Sequence, residues 1–395
     1  MRVAKLLPAL AVAVVAGAAL ATATTSLQQD FTAYRVAGAA QRAGLDPYLN
    51  HLGSTEAPGL WDGVALFRHS RFLYPPLVAD LFRPLAALRY LTAKLLFTLA
   101  MLGAWVGAAL VVGGPRDRGV VLVAGALFFP LYRHFERGQI DLLLLLLLAV
   151  AWRWRTRPLL AGLALAAAIA VKPALAGVAL VAAALGRVRL VAVALAGLVA
   201  IVGLTAVVDG PHRLREYALE VLPRAGLFGE GGTEEMLLPS ARLPGGEDDG
   251  TTVMDGRVYR TGLWNLPAAA SLPRLLAPET PSRLSSLLPF IVLCGLLVGA
   301  ARRCAASGSD GEWLFWAAAV ASVIASPAGW VMGLVFALPL APRLLTAIGG
   351  RRWTAARAIA AGVCWVGVAL PSPVSGLAAI AATGLVLVAA TETSR

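Results

Sequence analysis

Charged side chains are scarce in this sequence. Asp, Glu, Lys and Arg account for 14% of its 395 residues, whereas hydrophobic residues account for 58%. Soluble globular domains carry roughly 25% charged residues, so the composition excludes an ordinary water-soluble globule. Apolar runs of roughly 15 to 20 residues recur along most of the chain, which is typical of a polytopic helical membrane protein.

Acidic residues are also few relative to basic ones, with 22 Asp and Glu against 34 Lys and Arg and a net charge of +12. In a soluble protein this excess would suggest a nucleic-acid partner. Here the arginines form short clusters between apolar runs, a pattern that orients a protein in a membrane. We therefore expect membrane lipid, and no nucleic acid, as the partner of these charges.

Ligands for metals and nucleotides are equally sparse. The three cysteines show no Cys-x-x-Cys spacing, and two of them lie inside apolar runs, so we expect them to pack in the protein interior. Zinc and EF-hand spacings are absent, and no glycine-rich nucleotide loop follows a strand pattern. The sequence therefore predicts no metal and no cofactor.

The apolar runs predict an all-α fold with about twelve spans, several of them shorter than the roughly 20 residues of a full crossing. We expect one membrane domain over residues 1–395. The first run has small residues at Ala19-Leu20-Ala21 that resemble a signal-peptide cleavage site. Many later spans make a separate export signal unnecessary, so we expect this run to be retained. The predicted spans are 6–25, 93–113, 119–133, 138–152, 158–171, 174–186, 190–208, 284–301, 313–326, 330–348, 353–371 and 375–391.

Arginine placement predicts the orientation of the spans. If both termini are cytoplasmic, every compact arginine cluster falls on the cytoplasmic side, as the positive-inside rule requires. The external side then receives residues 26–92, which contain a predicted interfacial helix at 76–91, and the long segment 209–283, whose Gly-rich acidic runs predict flexibility. We expect a plasma-membrane protein with its chemistry outside the cytoplasm. The cytoplasmic clusters are Arg116–Arg118, Arg153–Arg157, Arg187–Arg189, Arg302–Arg303 and Arg351–Arg352.

The first external segment carries two aspartates in distinctive settings. Asp30 follows the first span directly, in Gln29-Asp30-Phe31-Thr32-Ala33-Tyr34, and is a candidate general base or a solvated acid that marks a helix end. Asp46 lies in Gly44-Leu45-Asp46-Pro47-Tyr48, where aspartate and proline favour a turn, and is a candidate for substrate contact.

Further polar motifs stand at the external ends of later predicted spans. Tyr74 precedes two prolines that favour a rigid helix start. Glu136 and Gln139, in Phe135-Glu136-Arg137-Gly138-Gln139, together with the Asp141 that follows, are candidates for binding sugar hydroxyls or for capping a helix. Lys172, between two apolar runs, needs a counter-charge such as a phosphate, or must extend its amine to the interface.

Two motifs lie further along the chain. Asn265 and Arg274 belong to Trp264-Asn265-Leu266-Pro267-Ala268-Ala269-Ala270-Ser271-Leu272-Pro273-Arg274-Leu275, where the arginine is a candidate for a bidentate phosphate contact or an ordinary surface residue. Trp330 ends the motif Ser326-Pro327-Ala328-Gly329-Trp330 at the predicted external end of a span.

In this order, the motifs resemble those of the polyprenol-phosphate-dependent glycosyltransferases of the GT-C type, and among them glycosyltransferase family 87, which includes actinobacterial mannosyl- and arabinofuranosyltransferases. The resemblance implies transfer of a mannosyl or arabinofuranosyl group, with inversion, from a polyprenyl-phosphate donor to a glycolipid or polysaccharide acceptor. It implies that Asp30 is the base, that Lys172 and Arg274 hold phosphate, and that Asp46, Tyr74, Glu136, Gln139, Asn265 and Trp330 contact substrate.

The sequence departs from the family pattern at Val331 and Met332, since histidines usually follow the tryptophan in family members. His134 and His69 are candidate substitutes or plain surface residues. The departure leaves a non-catalytic or degenerate membrane scaffold as an alternative. A small-molecule transporter is the other, because short spans around Lys172 suit one, although the chain shows no matching halves.

Overall fold

The computed structural model describes residues 2–48, 72–225, 251–254, 257–260, 270–276, 283–326, 329–349, 354–371 and 376–391. Helices dominate this part of the chain. In chain order they are α1 Arg2–Thr25, α2 Gln29–Arg42, α3 Pro76–Ala86, α4 Tyr90–Val112, α5 Pro115–Ala126, α6 Phe129–Arg137, α7 Asp141–Arg153, α8 Pro158–Val171, α9 Ala176–Ala184, α10 Val188–Asp209, α11 Pro211–Glu216, α12 Leu222–Ala225, α13 Leu272–Leu276, α14 Arg283–Ala306, α15 Glu312–Ile324, α16 Leu340–Gly349, α17 Ala355–Ala369 and α18 Leu377–Thr391.

Among the described residues, four helical segments are long and apolar enough to cross a membrane. They are Leu6–Thr25, Tyr90–Val112, Val188–Asp209 and Leu287–Ala306. A fifth span results if Val331–Ala337 and Leu340–Ile348, which meet at 56°, count as one. The chain is therefore an all-α membrane protein, whereas the twelve crossings expected from hydropathy stay a prediction. The remaining apolar helices of the bundle are shorter than 18 residues.

Proline accounts for two of the interruptions in the apolar runs. The run 119–133 divides at Phe128, whose backbone is extended, and α6 then starts with Pro130 in its first turn. Proline suits the first turn of a helix because its missing N–H would have no helical partner there. In the run 330–348, the 3₁₀ helix Val331–Ala337 gives way to α16 across Pro339. Hydropathy averages across such breaks and therefore predicts longer helices than the backbone forms.

A small hairpin contains the two β-strands of the described residues, and the all-α prediction did not include it. Strands β1 (Thr251–Met254) and β2 (Arg257–Arg260) pair antiparallel, with Thr251 opposite Arg260. Ser26, directly after α1, forms a parallel bridge to Arg260. The hairpin thus connects the long segment 209–283 to the start of the first external segment. The acidic Gly-rich runs for which flexibility was predicted lie outside the described residues.

The helices pack around one continuous core of buried apolar side chains. Helix α7 packs between α4 and α8, and α10 packs against α8. Because α7 and α8 run in succession through a tight turn, the first residue of α7 and the last residue of α8 come to the same end of the bundle. This packing determines where the polar motifs of the sequence meet.

Candidate active site

Asp30 is the second residue of α2 and is only 7% exposed to solvent. The helix begins directly after the Ser26-Leu27-Gln28 turn, so the carboxylate lies in the first helical turn. There the partial positive charge of the helix N-terminus favours an acidic side chain. The alternative in which Asp30 is a solvated acid at the end of a helix does not hold. Asp30 lies at the start of a helix, and it is buried in the protein.

Gln139 connects Asp30 to two tyrosines. Its amide nitrogen Nε2 donates to Asp30 Oδ2 at 2.7 Å, while its Oε1 accepts hydrogen bonds from the hydroxyls of Tyr34 at 3.0 Å and Tyr74 at 3.1 Å. This pattern fixes the orientation of the amide, because only the nitrogen can donate to a carboxylate. The four side chains, of which Tyr74 is partly exposed, form one network that holds Asp30 Oδ2 in a defined position.

Both tyrosines remain protonated donors in this network. Burial is the largest cause that raises the pKa of the Tyr34 and Tyr74 phenols well above the ordinary value. The carboxylates of Asp30 and Asp141 add to the rise in both cases. Asp141 stands two residues after Gln139 in the chain, so the Asp30 network adjoins Asp141.

Gly138 delivers Gln139 to this network. It ends α6 with φ of 71° and ψ of 47°, a left-handed conformation that glycine adopts without strain. A Cβ at this position would stand 2.7 Å from Phe31 Cβ and 2.9 Å from Gln28 Cβ. Only glycine therefore permits the approach of α2 that brings Asp30 within hydrogen-bond distance of Gln139.

Asp141 and Lys172 form an ion pair beside the network. Lys172 Nζ lies 2.9 Å from Oδ1 and 3.1 Å from Oδ2 of Asp141. Asp141 begins α7 and is buried, whereas the Lys172 side chain at the end of α8 is 23% exposed. A Cβ on Gly333 would stand 3.4 Å from Asp141 Oδ2, so the 3₁₀ helix that follows Trp330 borders this pair.

Two more of the predicted contact residues have partners within the protein. The buried carboxylate of Glu136 pairs with Arg133 one turn earlier on α6. Asp46 accepts the backbone N–H of Tyr48 at 2.8 Å, which confirms the expected turn, and pairs with Arg213 Nη1 at 2.8 Å. Arg213 also binds Glu216, whose carboxyl pKa is raised to about 7 by burial and by the nearby Asp46.

The later motifs lie next to the 3₁₀ helix that borders the Asp141–Lys172 pair. Ala270 N–H donates to the Gly329 carbonyl at 3.0 Å, and the Ser271 hydroxyl donates to the Ser326 carbonyl at 2.8 Å. The segment before α13 therefore docks on the loop that leads to Trp330, which is partly buried. Arg274 belongs to α13, but its side chain lies outside the described residues, as does Asn265.

Sequence reasoning missed several members of the site. Tyr34 gave no signal beyond its place four residues after Asp30, and Asp141 was noted only as a capping or sugar-binding candidate. An acid that opens a leucine-rich run needs a counter-charge, so it could have been paired with Lys172 on that ground.

His134 is fully buried, and its Nε2 accepts the Leu142 N–H at 3.2 Å, which caps α7. His69 lies outside the described residues.

Comparison with known protein families places this geometry in context. The model of glycosyltransferase family 87 matches residues 72–327, which is more than half of the chain. The chain belongs to glycosyltransferase family 87. It is therefore a glycosyltransferase, and its reaction requires a sugar donor together with a glycan or lipid acceptor. Membership favours the enzyme over the transporter and scaffold alternatives, and it confirms the resemblance seen in the motifs.

The family 87 match covers some of the candidate residues and not others. Tyr74, Glu136, Gln139 and Lys172 fall within residues 72–327, whereas Asp30, Asp46 and Trp330 fall outside them. Searches of curated proteins and of solved structures return no match to this chain. The roles of the individual residues therefore stay predictions that depend on the geometry described above.

Proposed function

We propose that this family 87 enzyme transfers a mannosyl or arabinofuranosyl group from a polyprenyl-phosphate donor to a glycolipid or polysaccharide acceptor. The observation that carries the proposal is the buried Asp30–Gln139 hydrogen bond beside the Asp141–Lys172 ion pair. Group transfer from a phosphate carrier needs a proton acceptor for the incoming hydroxyl and a cation for the departing phosphate. This arrangement supplies both at one end of the bundle.

In the proposed reaction, Asp30 takes the proton of the acceptor hydroxyl while the oxygen of that hydroxyl bonds to the anomeric carbon of the sugar. The bond from that carbon to the phosphate oxygen breaks, and the carrier phosphate keeps the electron pair. A single displacement inverts the anomeric configuration. Lys172, whose ammonium Asp141 holds in place, faces the developing phosphate charge, and Gln139 orients the base.

The remaining predicted residues receive different roles. Tyr74 contributes its hydroxyl, which donates a hydrogen bond to Gln139. Trp330 lies on the side of the site that would bind the sugar donor. Because Glu136 and Asp46 each pair with an arginine, we propose that they shape the site instead of binding sugar directly. Arg274 stays a candidate for phosphate and Asn265 for a sugar hydroxyl.

We also propose the setting of the reaction. The enzyme lies in the plasma membrane as a single domain of about twelve spans, with cytoplasmic termini and the site on the external face. Contacts among turns support this orientation: Arg155 approaches Asp310 at 3.9 Å, and Glu312 pairs with Arg343. The turn with the cluster 153–157 and the turn after Arg302–Arg303 thus meet at the end of α7 opposite Asp141.

The test is transfer of labelled sugar by purified protein in lipid, with polyprenyl-phosphate-mannose and polyprenyl-phosphate-arabinofuranose as alternative donors. Transfer from one of them, with inverted configuration in the product, is the expected result. A sugar nucleotide that serves as donor while both lipid-linked donors fail would contradict the proposed donor class. Retention of configuration would contradict the single displacement.

A further inference from the structure

A fully buried lysine lies close to the start of α2 but outside the chemistry proposed above. Lys94 is in the second turn of α4 and has 0% exposure. A cation inside a membrane helix needs compensation for its lost hydration. No carboxylate among the described residues pairs with it, so its partners are of other kinds.

Those partners come from two distant segments. Lys94 Nζ donates to the carbonyl of Ser26 at 2.6 Å. The same Nζ lies 3.7 Å from the ring centroid of Tyr259, on strand β2, and 4.9 Å from that of Tyr90. A carbonyl oxygen and two aromatic faces therefore surround the charge, in the geometry of cation–π contacts.

Ser26 begins the three-residue turn that leads into α2. Leu27 N–H donates to the Arg260 carbonyl at 2.8 Å, and the Leu27 carbonyl accepts from the Tyr90 hydroxyl. Gln28 has φ of 53°, the one positive φ among the described non-glycine residues, and its Nε2 donates to the Phe135 carbonyl at 2.7 Å. A strained residue of this kind persists only where its surroundings constrain it.

The turn ends at Gln28, and Asp30 follows two residues later in the first turn of α2. The direction of α2 at its start, and hence the position of the Asp30 carboxylate relative to Gln139, is set by this turn. Lys94 binds the turn at its first carbonyl and holds the hairpin against it through Tyr259. The hairpin and the base are thereby connected through one cation.

We propose that Lys94 is a positioning residue for Asp30, and that the hairpin 251–260 acts on the reaction through the contact of Tyr259 with Lys94. The inference rests on the proposed function, in which Asp30 is the base. Neither Lys94 nor Tyr259 touches the substrate in this account. Their loss should therefore lower kcat and leave donor binding nearly unchanged.

The experiment measures kcat and the donor KM for full-length Lys94→Met, Tyr259→Leu and Tyr259→Phe in lipid. Methionine keeps the length of the side chain without its charge, and we expect kcat to fall at least about tenfold, as loss of a charge-assisted hydrogen bond implies. Tyr259→Leu removes the aromatic face and should lower kcat about threefold to tenfold. Tyr259→Phe is the matched control, because it keeps the ring, and should stay within about twofold.

Three outcomes would overturn the inference: an unchanged kcat in folded Lys94→Met, a rise in donor KM that accounts for the loss, or equal losses in Tyr259→Phe and Tyr259→Leu. If Lys94→Met does not fold, the comparison of the two Tyr259 variants decides the question. Asp30→Asn assayed in parallel separates the two proposals. Activity retained there would contradict the base itself, whereas loss there with an unchanged Tyr259→Leu would contradict only the inference.

Discussion

The two ends of α7 and α8 differ in how their charged side chains are connected. At the Asp141 end, the acids are buried and each has a specific partner: Asp30 binds Gln139, and Asp141 binds Lys172. At the other end, the buried acid Glu312 pairs with the partly exposed Arg343, whereas Arg155 and Asp310 approach only to 3.9 Å, with side chains 26% and 54% exposed. Solvated pairs of this kind contribute about 0–1 kcal/mol, whereas a broken buried pair costs several. The proposal assigns the chemistry to the Asp141 end, where the buried acids belong to a connected set of polar side chains.

Apart from replacement of Asp30 itself, Asp141→Asn should give the largest effect of the substitutions that break this contrast. It leaves the Lys172 ammonium without its counter-charge, so we expect about a 100-fold loss of kcat and about 1–3 kcal/mol of stability, less than for a fully buried pair because Lys172 is partly exposed. The double variant Asp141→Asn/Lys172→Met should recover stability but not activity. Recovery of both would show that the pair is structural only.

Gln139→Leu is expected to come next. It removes the donor to Asp30 and the acceptor of two tyrosine hydroxyls, and the loss of these hydrogen bonds costs about 1–3 kcal/mol, equivalent to roughly 5- to 150-fold in kcat. Gln41→Leu makes the same chemical change on α2, where Gln41 binds Asp209, and should stay within about twofold. Equal losses in the two variants would argue against a special role for Gln139.

Gly138→Ala tests the turn that brings the two halves of the network together. Its positive φ and the 2.7 Å approach to Phe31 Cβ predict a loss of about 1–3 kcal/mol in thermal unfolding, accompanied by reduced turnover. Gly103→Ala is the control, since a Cβ there meets nothing within 4 Å on α4. It should be neutral or stabilising by up to about 1 kcal/mol.

Arg155→Gln, at the opposite end, should have the smallest effect. Its pairing with Asp310 is long and solvated, and its other contacts are with the nearby Trp152, so unfolding should change by no more than about 1 kcal/mol and turnover by less than twofold. Thermal unfolding in detergent and the transfer assay measure both quantities. A large loss of activity here would remove the distinction between the two ends.

Sequence reasoning selected candidate site residues but predicted little of their pairing. Proximity to the first span singled out Asp30, and the cost of a lysine between apolar runs singled out Lys172, because both signals are local. Partners such as Asp141 for Lys172 and Gln139 for Asp30 are 31 and 109 residues away, and their pairing depends on how the helices pack. The local patterns of a single sequence do not predict that packing.

The fold shows the same limit. Hydropathy predicted the helices and the membrane class, yet it extended runs across Phe128 and Pro339, where the backbone breaks. The hairpin 251–260 escaped prediction because its two four-residue strands are stabilised by contacts with Ser26 and Lys94, far away in the chain. Lys94 was overlooked for a related reason, since one lysine near the start of a predicted span suggests an interfacial residue.

The most direct test of the account is the turnover of two matched substitutions, Asp30→Asn and Asp310→Asn, assayed side by side with the labelled lipid-linked donor. Both remove one carboxylate charge and keep the size of the side chain. The account predicts that Asp30→Asn loses at least about 100-fold in kcat while remaining folded, as for loss of a general base, and that Asp310→Asn stays within about twofold. Full activity in Asp30→Asn, or equal losses in both variants, would contradict the assignment of the base.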